Sequence, residues 1–334
     1  MKKQILQPLK ILTGPNEGIA QSSHGSVPSG EKSGFNVVSG NCVILENPVV
    51  QQGKWRKTMS VVACVQMASG PNIGANLLEA ERLIEEAVSQ QARLVVLPEN
   101  FALMGKTEHD KVMEREQPGS GAIQTFLAEQ SSRHGIWLVG GTIPLVAKDE
   151  NKIRASCLVF DDKGTQVARY DKIHLFDVEL IDSDEQYTES ETIEPGDEVV
   201  VIDSPFGRMG LAVCYDLRFP ELFRQQLEAG MEILVLPSAF TAITGRAHWE
   251  VLVRARAIEN LCYVIAPDQG GFHLNGRETY GHSMIVDPWG TVLNSLARGP
   301  GVVCADIELG RLNSARRNFP SIAHRRLQCL NKSS

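Results

Sequence analysis

Residues 208–221 read RMGLAVCYDLRFPE and combine a strand, a turn and the start of a helix. Met209 to Val213 is an apolar run of the length of a buried strand. Phe219-Pro220-Glu221 is typical of a helix start, because proline fits the first turn and the acid complements the helix dipole. Cys214 follows the strand, where a thiol is held rigidly near backbone N–H groups. This position suits a nucleophile, although a lone cysteine is more often a small core residue.

The second half of the chain repeats the strand–helix–strand order of the first. The matching elements are strand 61–67, helix 73–90 and strand 93–97, and then strand 209–213, helix 219–229 and strand 233–236. The halves also end alike, with RLVVLPEN at 93–100 and EILVLPSA at 232–239. Two such apolar halves predict an α/β fold in which two sheets pack face to face, with helices outside. A pseudo-twofold axis between the halves would bring the strand ends at Leu97 and Val213 to one crevice.

The remaining patterns predict further elements around these halves. Helices are predicted at 121–134 and 247–260, and strands at 136–139, 155–160, 165–170, 262–266, 282–286 and 302–307. Asp287-Pro288-Trp289-Gly290 is predicted as a turn between the last two strands. The acidic loop from Phe176 to Asp197 is longer than a connector needs, and loops of this length are often functional.

Composition excludes several classes of function. The chain of 334 residues has a net charge of −7 and no basic stripe, which argues against a nucleic-acid partner. No apolar run approaches the roughly 18 residues of a membrane span. The seven cysteines are scattered, and neither CxxC pairs nor His-rich tracts indicate a metal site. Such cysteine usage is typical of a reducing compartment and predicts a cytoplasmic protein.

Residues 1–58 differ from the rest of the chain. They are rich in Gly, Ser, Asn and Gln and show no sustained helical or strand period, so we interpret them as a disordered tail. Alternatively, Met59 is the true start, because MSVVACVQM begins a strand at once. The folded domain is predicted at 59–330.

Three polar residues lie where predicted strands end. Glu99 follows the strand LVVLP, Lys172 follows the hairpin in RYDKIHLFD, and Cys214 follows LAV. Singly, each has an ordinary structural explanation. Together they supply a sulfur nucleophile, a carboxylate that can carry its proton, and a cation that favours the thiolate. Lys172 and the backbone N–H of Tyr215 could also stabilise an oxyanion.

These three contexts resemble the signature blocks of the nitrilase (carbon–nitrogen hydrolase) superfamily. The blocks are LPEN at Glu99, YDKIHLFD at Lys172 and GLAVCYDLRFPE at Cys214, and the resemblance covers about residues 60–327. It implies a four-layer α-β-β-α sandwich of mixed sheets, a catalytic Glu99, Lys172 and Cys214, no cofactor, and a homodimer or higher homo-oligomer. It also implies a second carboxylate, Glu189 in YTESETIEPGD, that positions Lys172.

Within that superfamily, KIHLFDVEL, PSAFTAITGRAHWEVLVRARAIE and YGHSMIVDPWGTVL look like the Nit branch that hydrolyses deaminated glutathione. The resemblance implies a metabolite-repair amidase that uses a cysteine thioester and releases 2-oxoglutarate and cysteinylglycine. Arg246 departs from the pattern, because many relatives have proline there. Candidates for binding this small acidic amide are Tyr215, Arg218, Arg246 and His248. Of Arg254 and Arg256, at most one can face inward, because they lie about 200° apart on a helix.

Other functions remain open at this point. The chain could be an ω-amidase on 2-oxoglutaramate or 2-oxosuccinamate, or it could hydrolyse another amide, carbamoyl amine or nitrile. A non-catalytic scaffold or regulator with this fold is an alternative from another class.

Overall fold

The computed structural model describes residues 42–45, 59–180 and 185–327. The strands are β1 Cys42–Leu45, β2 Ser60–Gln66, β3 Leu94–Val96, β4 Trp137–Val139, β5 Ile143–Val146, β6 Ile153–Phe160, β7 Gln166–Asp171, β8 Asp177–Glu179, β9 Gln186–Thr188, β10 Val199–Ser204, β11 Gly207–Leu211, β12 Ile233–Val235, β13 Tyr263–Ala266, β14 Ser283–Val286, β15 Val292–Leu296 and β16 Gly301–Ile307. The helices are α1 Ile73–Ser89, α2 Asp110–Met113, α3 Ala122–His134, α4 Pro220–Glu228, α5 Ala242–Asn260 and α6 Leu309–Asn318.

The strands form two large sheets and one small hairpin. The first sheet has the order β1-β10-β11-β12-β13-β14-β15, and the second has the order β16-β2-β3-β4-β6-β5, with β7 paired to β6. In each sheet a parallel triplet, β11-β12-β13 or β2-β3-β4, is flanked by antiparallel neighbours. Both sheets are therefore mixed, and the two triplets correspond to the repeated halves of the sequence.

Successive side chains of β2 face different layers. Val62 and Cys64 lie in a core that also contains strand residues of the other sheet, such as Val235. Ala63 and Val65 instead pack with residues of α1 and α3. Residues of α4 and α5 join the first core from the far side of the other sheet. The layers are therefore helices, sheet, sheet and helices, which confirms the predicted four-layer sandwich.

The helix boundaries follow their caps. The Asn72 side chain accepts a hydrogen bond of 2.8 Å from Ala75 N, as expected for the cap of α1. Helix α5 begins at Ala242, five residues before the predicted start, because Thr241 caps it by accepting from Thr244 N at 3.2 Å. None of the helices within the described ranges has the length and apolarity needed to cross a bilayer.

Some predicted elements differ from the structure. The turn at Asp287 leads into β15, not into the last strand, so the prediction that it joins the last two strands is wrong. Most of β15 is half-buried or exposed, which hides the apolar pattern of a strand. The long acidic loop contains the β8-β9 hairpin. Residues 42–45 of the predicted tail form a strand that pairs with β10, which was not predicted from the sequence either. Of the other tail residues, those before 42 and from 46 to 58 lie outside the described residues.

The turn after β4 depends on a glycine that packs against the segment of Glu99. Gly141 has φ +55°, and a Cβ there would lie 2.0 Å from the Pro98 carbonyl oxygen. Gly135, the C-cap residue of α3, has a similar φ of +59° with nothing within 4 Å of an added Cβ. An alanine at Gly135 would therefore meet backbone strain alone, whereas an alanine at Gly141 would meet both strain and steric overlap.

We expect Gly135→Ala to lower the free energy of unfolding by about 1 kcal/mol, through strain alone. Gly141→Ala should lower it by about 3 kcal/mol, because overlap with the Pro98 backbone adds to the strain. Urea denaturation of both variants measures the difference. Equal losses would show that the contact with Pro98 does not limit this turn.

Candidate active site

Cys214 lies in a constrained turn between β11 and α4. It begins a 3-10 turn, Cys214–Arg218, and Pro220 opens α4 directly afterwards. Cys214 has φ +47°, an unfavourable region for a residue with a Cβ, and its backbone N–H donates to Pro237 O at 2.9 Å. Strained non-glycine residues cluster at functional sites, where the surrounding structure holds them. The side chain is buried at 7% exposure.

Asp216 fixes this turn to the segment that carries Lys172. Its Oδ2 accepts from Val213 N at 2.8 Å and from the Tyr170 hydroxyl at 2.7 Å. Its Oδ1 accepts from His174 N at 3.1 Å and lies 2.7 Å from the same residue's Nδ1. Because Asp216 is fully buried, these contacts make it a structural anchor.

Lys172 is buried between two carboxylates. Its Nζ lies 2.8 Å from Glu99 Oε1, and 2.8 Å and 3.0 Å from the two oxygens of Glu189. Lys172 is 1% exposed and Glu99 is 3% exposed. Glu189 begins a 3-10 turn after β9, and its Oε2 also accepts from Phe176 N at 2.9 Å. Three segments far apart in the sequence therefore meet at one ammonium.

The backbone of Glu99 is held from both sheets. Gln269, which follows β13, donates through Nε2 to Glu99 O at 3.0 Å and to Ser69 Oγ at 2.9 Å. From the other side, Asn100 N donates to Thr142 Oγ1 at 2.9 Å. The Glu99 carboxylate is thus presented by a rigid turn.

Electrostatics set the resting protonation of this cluster. Burial raises the pKa of Glu99, but the Lys172 ammonium outweighs burial, so the pKa of this carboxyl is below its ordinary value. Burial also lowers the pKa of Lys172, but Glu189 and Glu99 hold that pKa well above the ordinary range. Burial and the Glu99 charge raise the pKa of Cys214 well above its ordinary value, despite Lys172. The resting site therefore holds a thiol, a carboxylate and an ammonium.

This protonation differs in one respect from the expectation that Lys172 favours the thiolate. Its effect is outweighed by burial and by Glu99. The sulfur can therefore attack only if its proton passes to a base, and the adjoining Glu99 carboxylate is placed to accept it.

A narrow inner pocket opens above Cys214. The volume that water-sized molecules can reach in it is about 10 Å³, roughly the space of one water molecule, so the pocket is narrow. Its lining consists of apolar, hydroxyl and charged side chains: Phe176, Glu189, Cys214, Tyr215, Arg218, Ala239, Phe240, Thr241, Thr244 and Arg277. The pocket therefore places apolar surface, hydroxyl groups and a guanidinium beside the Cys214 thiol.

The predicted substrate-binding residues occupy different positions. Tyr215 and Arg218 line the inner pocket. His248 is exposed and contacts Arg218, with 3.2 Å between its Nδ1 and Nη1 of the arginine. Arg246 is exposed on α5 and is not part of the lining.

Two other arginines clarify the site. As predicted, only one of the pair on α5 faces inward: Arg256, which binds Leu217 O at 2.7 Å and 3.0 Å and has a structural role. Arg277 lines the pocket but was not among the candidates. It lies in an irregular loop before β14, where no periodicity shows which way a side chain points. Only its position just before the YGHSMIVDPWGTVL block gave a signal.

Asp268 is a buried carboxyl close to this cluster. Its Oδ1 accepts from Phe240 N at 2.8 Å. Burial, together with the Glu99 charge, raises the pKa of Asp268 well above its ordinary value. Burial therefore favours the uncharged form of Asp268 beside Glu99. Within the described residues, His, Cys, Asp and Glu form no group that could hold a metal ion.

Comparison with known proteins shows the family. The sequence profile described as carbon–nitrogen hydrolase matches residues 61–317. The chain belongs to the carbon–nitrogen hydrolase family. A Synechocystis sp. protein named deaminated glutathione amidase is 44% identical over 79% of this chain and 97% of its own length. A Homo sapiens protein of the same name is 41% identical over 80% of this chain and 83% of its own.

A solved structure shares the fold of this carbon–nitrogen hydrolase. Saccharomyces cerevisiae Nit3, described as a member of branch 10 of the nitrilase superfamily, is 32% identical with a TM-score of 0.73. The match covers 82% of this chain and 99% of Nit3. The predicted superfamily, fold and C–N hydrolase class are confirmed.

The buried ammonium of this carbon–nitrogen hydrolase predicts an unusual pH dependence. Because the folded pKa of Glu99 is lowered, its stabilising contribution is present at neutral pH and is lost as pH falls through that pKa. Lys172→Met removes the compensating charge, so burial then raises the pKa of Glu99. The variant should lose about 3–5 kcal/mol of unfolding free energy at pH 7. It should regain part of this as the Glu99 carboxylate protonates towards pH 5.

Urea denaturation between about pH 8 and pH 5 checks this prediction. Lys163→Met, on the exposed β6–β7 turn, is the matched control and should follow the wild type. A Lys172→Met variant whose stability, relative to the wild type, does not rise between pH 8 and pH 5 would contradict it.

Proposed function

We propose that this carbon–nitrogen hydrolase is an amidase that hydrolyses deaminated glutathione through a thioester on Cys214. The observation that carries the proposal is the buried Lys172 ammonium, paired with Glu99 and Glu189 directly beside a buried thiol. A charge cluster so deeply buried is a costly way to stabilise a fold, and such clusters are typical of sites that move protons. The names of the Synechocystis and human relatives support this choice of substrate.

Acylation begins with Cys214 and Glu99. The sulfur attacks the amide carbonyl carbon as its proton passes to the Glu99 carboxylate. The C–N bond then breaks, and Glu99 returns the proton to the departing nitrogen. Cysteinylglycine leaves, and the 2-oxoglutaryl group remains on the sulfur as a thioester.

Hydrolysis of the thioester uses the same carboxylate in reverse. Glu99 takes a proton from water as the water oxygen attacks the thioester carbonyl carbon. The C–S bond breaks, the sulfur regains its proton, and 2-oxoglutarate is released. In both steps the Lys172 ammonium and the Tyr215 N–H stabilise the oxyanion, and Glu189 holds Lys172 in position.

The acyl half of this substrate fits the chemistry of the inner pocket. The aromatic rings of Phe176, Tyr215 and Phe240 suit its two methylene groups, and Arg218 suits its keto-acid carboxylate. Arg218 is also held over the Tyr215 and Phe240 rings at 5.7 Å and 5.4 Å. Its contact with His248 gives that exposed residue an indirect role in orienting the guanidinium.

We further propose a cytoplasmic, homo-oligomeric protein. Five cysteines are free thiols, which suits a reducing compartment: Cys64, Cys157, Cys214, Cys262 and Cys304. Exposed apolar residues of α5, such as Val251 and Ile258, suit contact with a second copy.

Steady-state kinetics test the proposed reaction. The wild type should release 2-oxoglutarate from deaminated glutathione with a higher kcat/KM than from 2-oxoglutaramate, the substrate of the ω-amidase alternative. Cys214→Ala should lower the rate by at least about 10⁴-fold, because it removes the nucleophile. Cys304→Ala removes a half-buried thiol of β16 that is not part of the pocket lining, and it should retain activity. A Cys214→Ala enzyme that still turns over would refute the thioester route, and a preference for 2-oxoglutaramate would favour the ω-amidase.

A further inference from the structure

A larger outer basin adjoins the inner pocket. Its volume is about 380 Å³, within the range of small-molecule sites. Three chain segments line it: Lys106 to Glu108, Glu185 to Glu189, and Asn275 to Arg277. Glu189 and Arg277 also line the inner pocket, so the two cavities meet at these side chains.

We propose that the outer basin binds the leaving-group half of the amide as an extended, anionic dipeptide, with Lys106 binding its terminal carboxylate. Arg277 lies at the junction and determines which amides reach Cys214. This inference rests on the proposed function and extends it to the other half of the substrate.

The position of the junction supports this division. The acyl half stays attached to Cys214 in the inner pocket, so the amine half must extend through the opening next to it. That opening leads between Glu189 and Arg277 into the outer basin. An enzyme that released only ammonia would need no such space, because ammonia is about the size of a water molecule.

The charges around the basin support an anionic occupant. Of the three carboxylates in the lining, Glu189 is paired with Lys172, Glu108 lies 2.8 Å from Lys111, and Glu185 accepts a hydrogen bond of 2.7 Å from the Tyr187 hydroxyl. Lys106, in contrast, forms no ion pair within the described residues, and only its backbone N–H is bonded, to Asp110.

Arg277 has donors to spare. It donates through Nη2 to Ala239 O, while its buried Nε lacks a partner among the described residues. Its guanidinium also lies over the Tyr187 ring, 5.0 Å from the centroid. A guanidinium held in this way is pre-organised to bind carboxylate or peptide oxygens.

The two cationic segments are held together. Asn275 donates through Nδ2 to Gly105 O at 3.0 Å, which links the loop of Arg277 to that of Lys106. The Oδ1 of the same asparagine accepts from Arg277 N at 3.0 Å. The two loops that carry the cations are therefore held next to each other by the fold, as a site that binds both ends of one ligand requires.

Three substrates that share the 2-oxoglutaryl group test the proposal. They are deaminated glutathione, its C-terminal glycinamide analogue, and 2-oxoglutaramate, which releases only ammonia. The enzymes are the wild type, Lys106→Met, Arg277→Met, and the surface control Lys163→Met. Thermal unfolding of each variant checks that it is folded.

We expect the wild type to prefer deaminated glutathione to its glycinamide analogue by about 10-fold or more in kcat/KM, because the terminal charge is lost. Lys106→Met should lower kcat/KM on deaminated glutathione about 10-fold but have a much smaller effect on the glycinamide. The variant and the analogue each remove one partner of the same ion pair, so the second change has little left to remove. Arg277→Met should lower kcat/KM on both, and Lys163→Met on neither.

Equal losses on the acid and the glycinamide in Lys106→Met would overturn the assignment of Lys106. Equal kcat/KM of the wild type on 2-oxoglutaramate and deaminated glutathione would overturn the role of the basin. No hydrolysis of any 2-oxoglutaryl amide by the wild type would instead refute the proposed function, and this inference with it.

Discussion

The ammonium of Lys172, buried between two carboxylates, is the interaction on which the site depends. An unpaired ammonium at this depth would be strongly unfavourable, and so would either carboxylate without it. Each member comes from a different segment: Glu99 after β3, Lys172 after β7, and Glu189 after β9. The cluster therefore exists only when the sheet that contains β3 and β7 and the acidic segment with β9 are assembled, which couples the chemistry of the site to the fold.

Much of the architecture could be predicted because short apolar runs are strong local signals. The parallel strands of both triplets are almost wholly buried, so their sequences show the continuous apolar run expected of a strand that is covered on both faces. The repeat of these runs predicted the symmetry, and the residues after them predicted the meeting of Glu99 and Cys214. Side chains at strand ends are predictable because topology alone determines where they lie.

Features set by tertiary contacts could not be predicted in this way. Strand β15 has no fully buried residue, and α5 begins more than one turn earlier than predicted because Thr241 caps it. Arg277 reaches the pocket from an irregular loop, and its direction depends on Asn275 and Gly105. The protonation of Cys214 was expected from charge alone, whereas burial decides it. Desolvation depends on the whole packed structure, so a motif does not reveal it.

The buried, protonated sulfur of Cys214 also bears on the durability of the protein. Peroxides and other electrophiles react with thiolates far more readily than with thiols, and most readily at exposed sites. Cys214 has neither property at rest, because it is 7% exposed and burial raises its pKa. In the proposed mechanism, the sulfur becomes reactive only when an amide occupies the narrow pocket and Glu99 takes its proton. The burial that keeps the Cys214 sulfur protonated between turnovers thus also protects it from oxidation.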